Sequence, residues 1–220
     1  MIAYASRTGT KRNLDALRAA GWRLMISATG VHRTEGFRYA IDNGAWTAFV
    51  QRTQWDKGSF LALLEAHGED ADFVVAPDIV AGGLASLRLS EYWLPRLVKY
   101  GHRRLIPVQD GMTVADTRPL VGRDVGIFVG GTTDFKVDTM GRWADLARER
   151  DSYCHVGRVN SEIRIRMCGR HGVDSFDGSS ASRYAVTLRA LEDARAFWSE
   201  YGRQRLWNSN QHADAQRGER

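Results

Sequence analysis

The 220-residue chain has no apolar run near the roughly 18 residues that a membrane helix requires, so no spanning segment is expected. Its first residues, Met1 to Ser6, lack the basic-then-apolar layout of a secretory signal, and the expected location is the cytoplasm. Cysteine is scarce: there are only Cys154 and Cys168, with no Cys-x-x-Cys pair and no cluster of histidines around them. Two buried thiols are expected, and a structural zinc site is not. No glycine-rich fingerprint follows the first strand-like run, which removes the main signal for an open dinucleotide-binding sheet. Internal repeats and low-complexity tracts are also missing.

What is present is a well-mixed composition, 43% hydrophobic and 26% charged, enough for one filled domain. The formal charge is +5 and the excess is carried by arginine. Arginine forks suit phosphates, so a polyanionic partner fits the balance.

Short β-rich runs alternate with amphipathic helical runs. Strands are predicted over 2–6, 23–27, 37–42, 73–78, 105–109, 125–129, 153–157 and 174–177. Helices are predicted over 11–20, 60–67 with Ser59 as cap, 84–100 with a kink at Pro95, 161–169 and 183–201. A further helix is marked by Trp143, Leu146 and Ala147, and 43–58 reads as a long connection. In the last helix Leu188, Leu191, Phe197 and Trp198 are the candidate inner residues. This alternation predicts a compact (β/α)8 barrel over residues 1–207, with 208–220 as a polar tail.

In such a barrel the active face lies at the strand C-termini. Those ends read Asp42-Asn43-Gly44, Pro77-Asp78, Gln109-Asp110-Gly111, Gly130-Gly131, Gly157-Arg158 and Asp177-Gly178. A single Asp there is often only a helix cap. Acids at four strand ends are more than capping needs, and carboxylates converging on a pocket are costly unless they bind or react. The glycines let a flat ligand approach the backbone. Arg158 suits either an acid or a phosphate. Asp174 reads as structural, and His155 as a satisfied core histidine. Trp46 and Trp55 suit either stacking on a base or covering the barrel mouth.

The tract from Tyr153 to Arg158 together with Gly172-Val173-Asp174-Ser175-Phe176-Asp177 resembles a stretch of the tRNA-guanine transglycosylase superfamily. The likeness is closer to its compact phage-type members, which place 7-deazaguanines in DNA. It extends, in chain order, over Asp42-Asn43-Gly44-Ala45-Trp46, Asp78, Gln109 and the glycines 130 and 131. The resemblance implies Asp177 as nucleophile and Asp42 as its acid/base partner. It implies Asp78 and Gln109 as contacts to a guanine-like edge, with Asn43, Gly130, Gly131, Gly157 and Arg158 around the substrate. It also implies exchange of guanine in a polynucleotide for a 7-deazaguanine base, without a cofactor, in the host cytoplasm if phage-encoded. The zinc-binding cysteine cluster of the tRNA enzymes has no counterpart here, which turns the expectation from tRNA toward DNA. A homodimer or an accessory subunit is compatible with the resemblance. The residues by themselves also admit a nucleosidase that uses water on the same acids, or a non-catalytic barrel that binds nucleic acid.

Overall fold

A computed structural model describes residues 1–6, 10–183 and 185–198. Eight parallel strands close on themselves in sequence order. They are β1 (Ile2–Ser6), β2 (Arg23–Ser27), β3 (Tyr39–Asp42), β4 (Val74–Val75), β5 (Arg104–Val108), β6 (Val125–Val129), β7 (Cys154–Val156) and β8 (Ser175–Gly178). The seam is β1 against β8, with Ile2 opposite Ser175 and Tyr4 opposite Asp177. Closure leaves no sheet edge, so the molecule is a compact (β/α)8 barrel.

The alternation of each strand divides the apolar residues into two populations. Tyr4, Met25, Ala40, Phe73, Val75 and Leu105 fill the barrel interior. Their outward neighbours, among them Ala3, Ala5, Leu24, Ile26, Ile41 and Val74, pack against the helices. That two-sided burial is why the strands read as nearly continuous hydrophobic runs. At the N-terminal end Asp72 accepts from Tyr4 Oη at 3.0 Å, Arg23 at 2.8 Å and Arg38 at 2.6 Å, a polar plug under the core.

Several elements differ from expectation for identifiable reasons. The stretch after β3 is not a plain connection: Ala45–Gln51 is helical, entered through Gly44 at φ 81°. Glycine tolerates that left-handed entry where other residues are strained. The next helix, Lys57–His67, is capped by Asp56, whose side chain accepts from Ser59 N, so Ser59 is not the cap. The helix expected over 84–100 is Leu84–Trp93 followed by a 3-10 turn Leu94–Leu97 that contains Pro95. β4 keeps only two ladder residues, although flanking bonds from Ile41 N to Phe73 O and from Ala76 N to Leu105 O continue its pairing. The closing helix starts later than expected, and its end lies outside the described residues. It is preceded by a separate turn of helix, Ser180–Arg183, and it runs from 188 within the described residues. Leu188 and Leu191 are buried as expected, whereas Phe197 faces outward. Trp198 lies against Gly169, where an added methyl would stand 2.3 Å from its ring. The polar tail expected over 208–220, and its boundary at 207, lie outside the described residues. No helix among the described residues is long and apolar enough to cross a membrane.

Candidate active site

The strand C-termini surround a cleft of about 810 Å³. Asp42, Asp78 and Asp177 all line it, together with Asn43, Gln109, Gly130, Gly131 and Arg158. Of the nine residues singled out from the sequence, only Gly157 stays behind the wall. An added methyl there would lie 2.6 Å from Phe128 Cζ and 3.4 Å from Asp177 Oδ1, so glycine lets both side chains keep their places.

Asp177 sits on β8 directly across from Tyr4 of β1. Its Oδ1 is 2.9 Å from His155 Nε2, and its Oδ2 accepts from Arg158 N at 3.3 Å. Behind the imidazole, Nδ1 is 2.7 Å from Ser175 Oγ. A carboxylate oxygen only accepts, so Nε2 carries the proton; in the neutral ring Nδ1 then accepts from the serine hydroxyl. His155 is fully buried and Phe128 stacks on it with ring centroids 4.9 Å apart. The core-histidine reading is therefore half of its role: it is satisfied, and one of its partners is the candidate nucleophile. The alternation of β7 held that information, since Cys154 and Val156 face one way and His155 the other, toward the barrel axis.

Asp42 ends β3 and accepts from Gly44 N at 3.1 Å. Burial, and next the Asp177 carboxylate, push its pKa up to about 7. Asp78 is pushed up to about 6, by burial, against the lowering pull of Asn43 and Arg158. Two carboxyls that hold protons near neutrality therefore share a cleft with Asp177.

Gln109, expected at the base edge, and Asn43, expected around the substrate, both line the cleft, and their polar atoms are also engaged within the protein. Gln109 Oε1 accepts from Ala81 N at 2.6 Å; its Nε2 donates to Ile79 O at 2.8 Å and Ser86 Oγ at 2.7 Å. Asn43 Nδ2 donates to Ala76 O at 2.6 Å and to Asp78 Oδ1 at 2.8 Å, and its Oδ1 accepts from Ala45 N. Both are nearly fully buried. They shape the loop after β4 and hold Asp78 in the cleft. Asp110 is structural as well, since it accepts from Thr132 N at 2.8 Å and Thr132 Oγ1 at 2.7 Å. A side chain at Gly131, φ 73°, would collide with that carboxylate, so this position requires glycine. Asp174 is structural as expected, accepting from Cys154 N at 2.8 Å.

Arg158 adopts φ 57° and donates to Gly131 O, while its guanidinium lies 3.7 Å from the centroid of Trp46. The two tryptophans after β3 thus divide. Trp46 lines the cleft at its mouth, whereas Trp55 donates to Asn43 O at 2.8 Å and packs on Phe60 and Trp93. Lys136 escaped sequence reasoning, because one lysine in a helix carries no signal. It is buried, its Nζ donates to Gly157 O at 2.9 Å, and burial followed by Arg158 lowers its pKa to about 8. It tethers the turn that presents Arg158 N to Asp177. Both cysteines are buried free thiols, and among the described residues no His, Cys, Asp or Glu cluster is arranged to hold a metal.

The raised acids make stability pH-dependent. A carboxyl that holds its proton to a higher pH in the folded state than in the unfolded chain opposes folding once it must ionise. Stability linked to Asp42 should therefore fall as pH rises from about 4, the unfolded value, to about 7. Solvent in the cleft tempers the effect to roughly 1 kcal/mol, or about 2–4 °C in Tm. Thermal melts of Asp42→Asn and the parent should diverge in the variant's favour between pH 5 and pH 8. A gap that stays constant over that range would mean that Asp42 titrates normally.

No protein-family model matches the chain, and no characterised protein matches it in sequence. Among solved structures it is similar to a tryptophan synthase complex from Pyrococcus furiosus, with 13% identity and a TM-score of 0.48. That alignment covers 91% of this chain and 94% of the other. A tryptophan synthase from M. tuberculosis, solved in an open form with BRD0059 bound, shares 16% identity over 90% of this chain and 89% of its own, with a TM-score of 0.44. The barrel is defined here by its own strand pairings, and the site by its own side chains.

Proposed function

We propose that the protein is a transglycosylase that exchanges guanine in a polynucleotide, DNA in preference to tRNA, for a 7-deazaguanine base. The observation that carries this reading is the shared cleft of Asp177 and Asp42, with the acidity of Asp42 shifted to about 7. Asp177 attacks the sugar carbon as the bond to guanine breaks through an oxocarbenium-like state, and a covalent aspartyl-sugar ester forms. The departing guanine takes a proton from Asp42. Asp42 then takes a proton from the incoming base, whose nitrogen attacks the same carbon and releases Asp177. An acid poised near neutrality can serve both steps. His155 and Arg158 N hold the Asp177 oxygens in place.

Asp78 faces the guanine-like edge, which offers N–H donors to a carboxylate. Asn43 and Gln109 fix its position. Asp78→Asn should weaken purine binding by roughly 1–3 kcal/mol, because a donor is left facing donors. Equilibrium titration of guanine against the variant and parent checks this; equal affinity would remove Asp78 from base recognition. The function itself is tested by incubating the protein with labelled guanine and either DNA or tRNA. Label in an intact DNA polymer is expected. Abasic sites without incorporation would show hydrolysis, and label in tRNA would move the substrate to RNA.

A further inference from the structure

The helix Ala45–Gln51 begins three residues after Asp42 and carries an unusual outer face. Trp46, Phe49 and Val50 are 42%, 54% and 60% exposed. Single exposed apolar residues need no explanation, but three on two turns beside a cleft do. Trp46 and Phe49 both line the cleft, and their rings lie 5.8 Å apart at 30°, close to parallel. The guanidinium of Arg158 lies against Trp46, and Arg183 lines the same opening. Arg52, exposed, follows the helix directly. The rim therefore combines stacked aromatic rings with cations, while Asp42, Asp78 and Asp177 are half-buried in the cleft and the exposed Asp110 is held by Thr132.

That combination has a specific chemistry. Any base presents a flat π face to an aromatic ring, and the phosphates beside it meet the arginines. The planes are already ordered: Trp46 by the Arg158 guanidinium, and Arg158 by Gly131 O. A base laid on them costs little further ordering. A guanine that reaches the acids must leave its stack, and its neighbour then loses a stacking partner.

We propose that Trp46 and Phe49 form a stacking ledge for a nucleobase adjoining the target guanine, so that the strand is held single-stranded and unstacked across the mouth. This rests on the transglycosylase reading for the target and adds where the flanking strand lies. The charge of the rim selects a polyanion over an apolar protein partner, and over a second copy of this chain, whose own rim carries the same arginines.

The test uses the full chain carrying Asp177→Asn, so that binding is read without chemistry. Fluorescence anisotropy follows a labelled single-stranded oligonucleotide with one guanine, and a second oligonucleotide with abasic residues on both sides of that guanine. Adding Phe49→Ala or Trp46→Ala should weaken binding of the intact strand by about 5- to 100-fold, the range for loss of one stacked base. With abasic neighbours, the chain bearing the intact ledge should itself bind weakly, and the alanine substitutions should change nothing further. Equal losses on both oligonucleotides, or none on either, would overturn the ledge. So would a Phe49→Ala chain that sediments as a monomer where the parent is a dimer, with oligonucleotide affinity unchanged; the occupant would then be a second copy. Failure of the transglycosylase reading looks different: the parent binds the strand with the expected abasic dependence, yet incorporates no label.

Discussion

Asp177→Asn is expected to abolish the covalent protein–DNA species altogether. The parent, mixed with guanine-containing DNA and denatured, should give a band of reduced mobility on a gel; the variant should give none. On the proposed mechanism the substitution removes the anionic oxygen that attacks the sugar carbon. Its structural cost is small for a reason visible in the site. An Asn oxygen can keep the bond from Arg158 N, while its amide donates to His155 Nε2. The imidazole then moves its proton to Nδ1 and donates to Ser175 Oγ, reversing the direction of that bond. The His155–Ser175 pair thereby absorbs the change, and the variant should melt within a few degrees of the parent, on the order of 1 kcal/mol. A normal band from a folded Asp177→Asn protein would mean that another residue attacks.

Asp42→Asn should slow exchange by roughly 10²–10⁴, the usual worth of a positioned acid/base. The Asn oxygen still accepts from Gly44 N, so the turn into the following helix is kept. On the proposed mechanism, what is lost is the proton supplied to the leaving guanine and later withdrawn from the incoming base. The covalent species, once formed, should therefore persist, and its band should accumulate with time rather than turn over. The pH profile gives an independent check. Parent exchange should bend near pH 7, where Asp42 titrates, and the bend should vanish in the variant. A profile that keeps its bend would assign it to another group, and Asp78, raised to about 6, is the next to examine.

Strand ends were legible because each one joins an apolar run to a polar or glycine step. Asp42, Asp78, Gly130, Gly131, Arg158 and Asp177 could all be placed on one face from that alone, and all of them line the cleft. Helix boundaries were less legible. Ala45–Gln51 went unseen because its seven residues are too few for a clear period, and because Gly44 reads as a breaker when it is in fact the entry. The partners of polar side chains were not legible at all. Gln109 and Asn43 have the right groups for a base, yet those groups are engaged by Ile79, Ala81, Ser86 and Ala76, residues far from them in the chain.

The sequence by itself determined the barrel, since buried parallel strands must be apolar on both faces and the alternation with helices admits few closures. It also determined which face bears the acids, because every parallel strand delivers its C-terminus to the same end. Only the tertiary structure decided what each acid does. Asp110 binds Thr132, Asp174 binds Cys154 N, and Asp177 meets His155 across two strands. Asp42 is raised to about 7 by its burial and by Asp177, which lies 135 residues further along the chain. A carboxylate's acidity depends on what surrounds it in space, and closure of the barrel is what sets that neighbourhood.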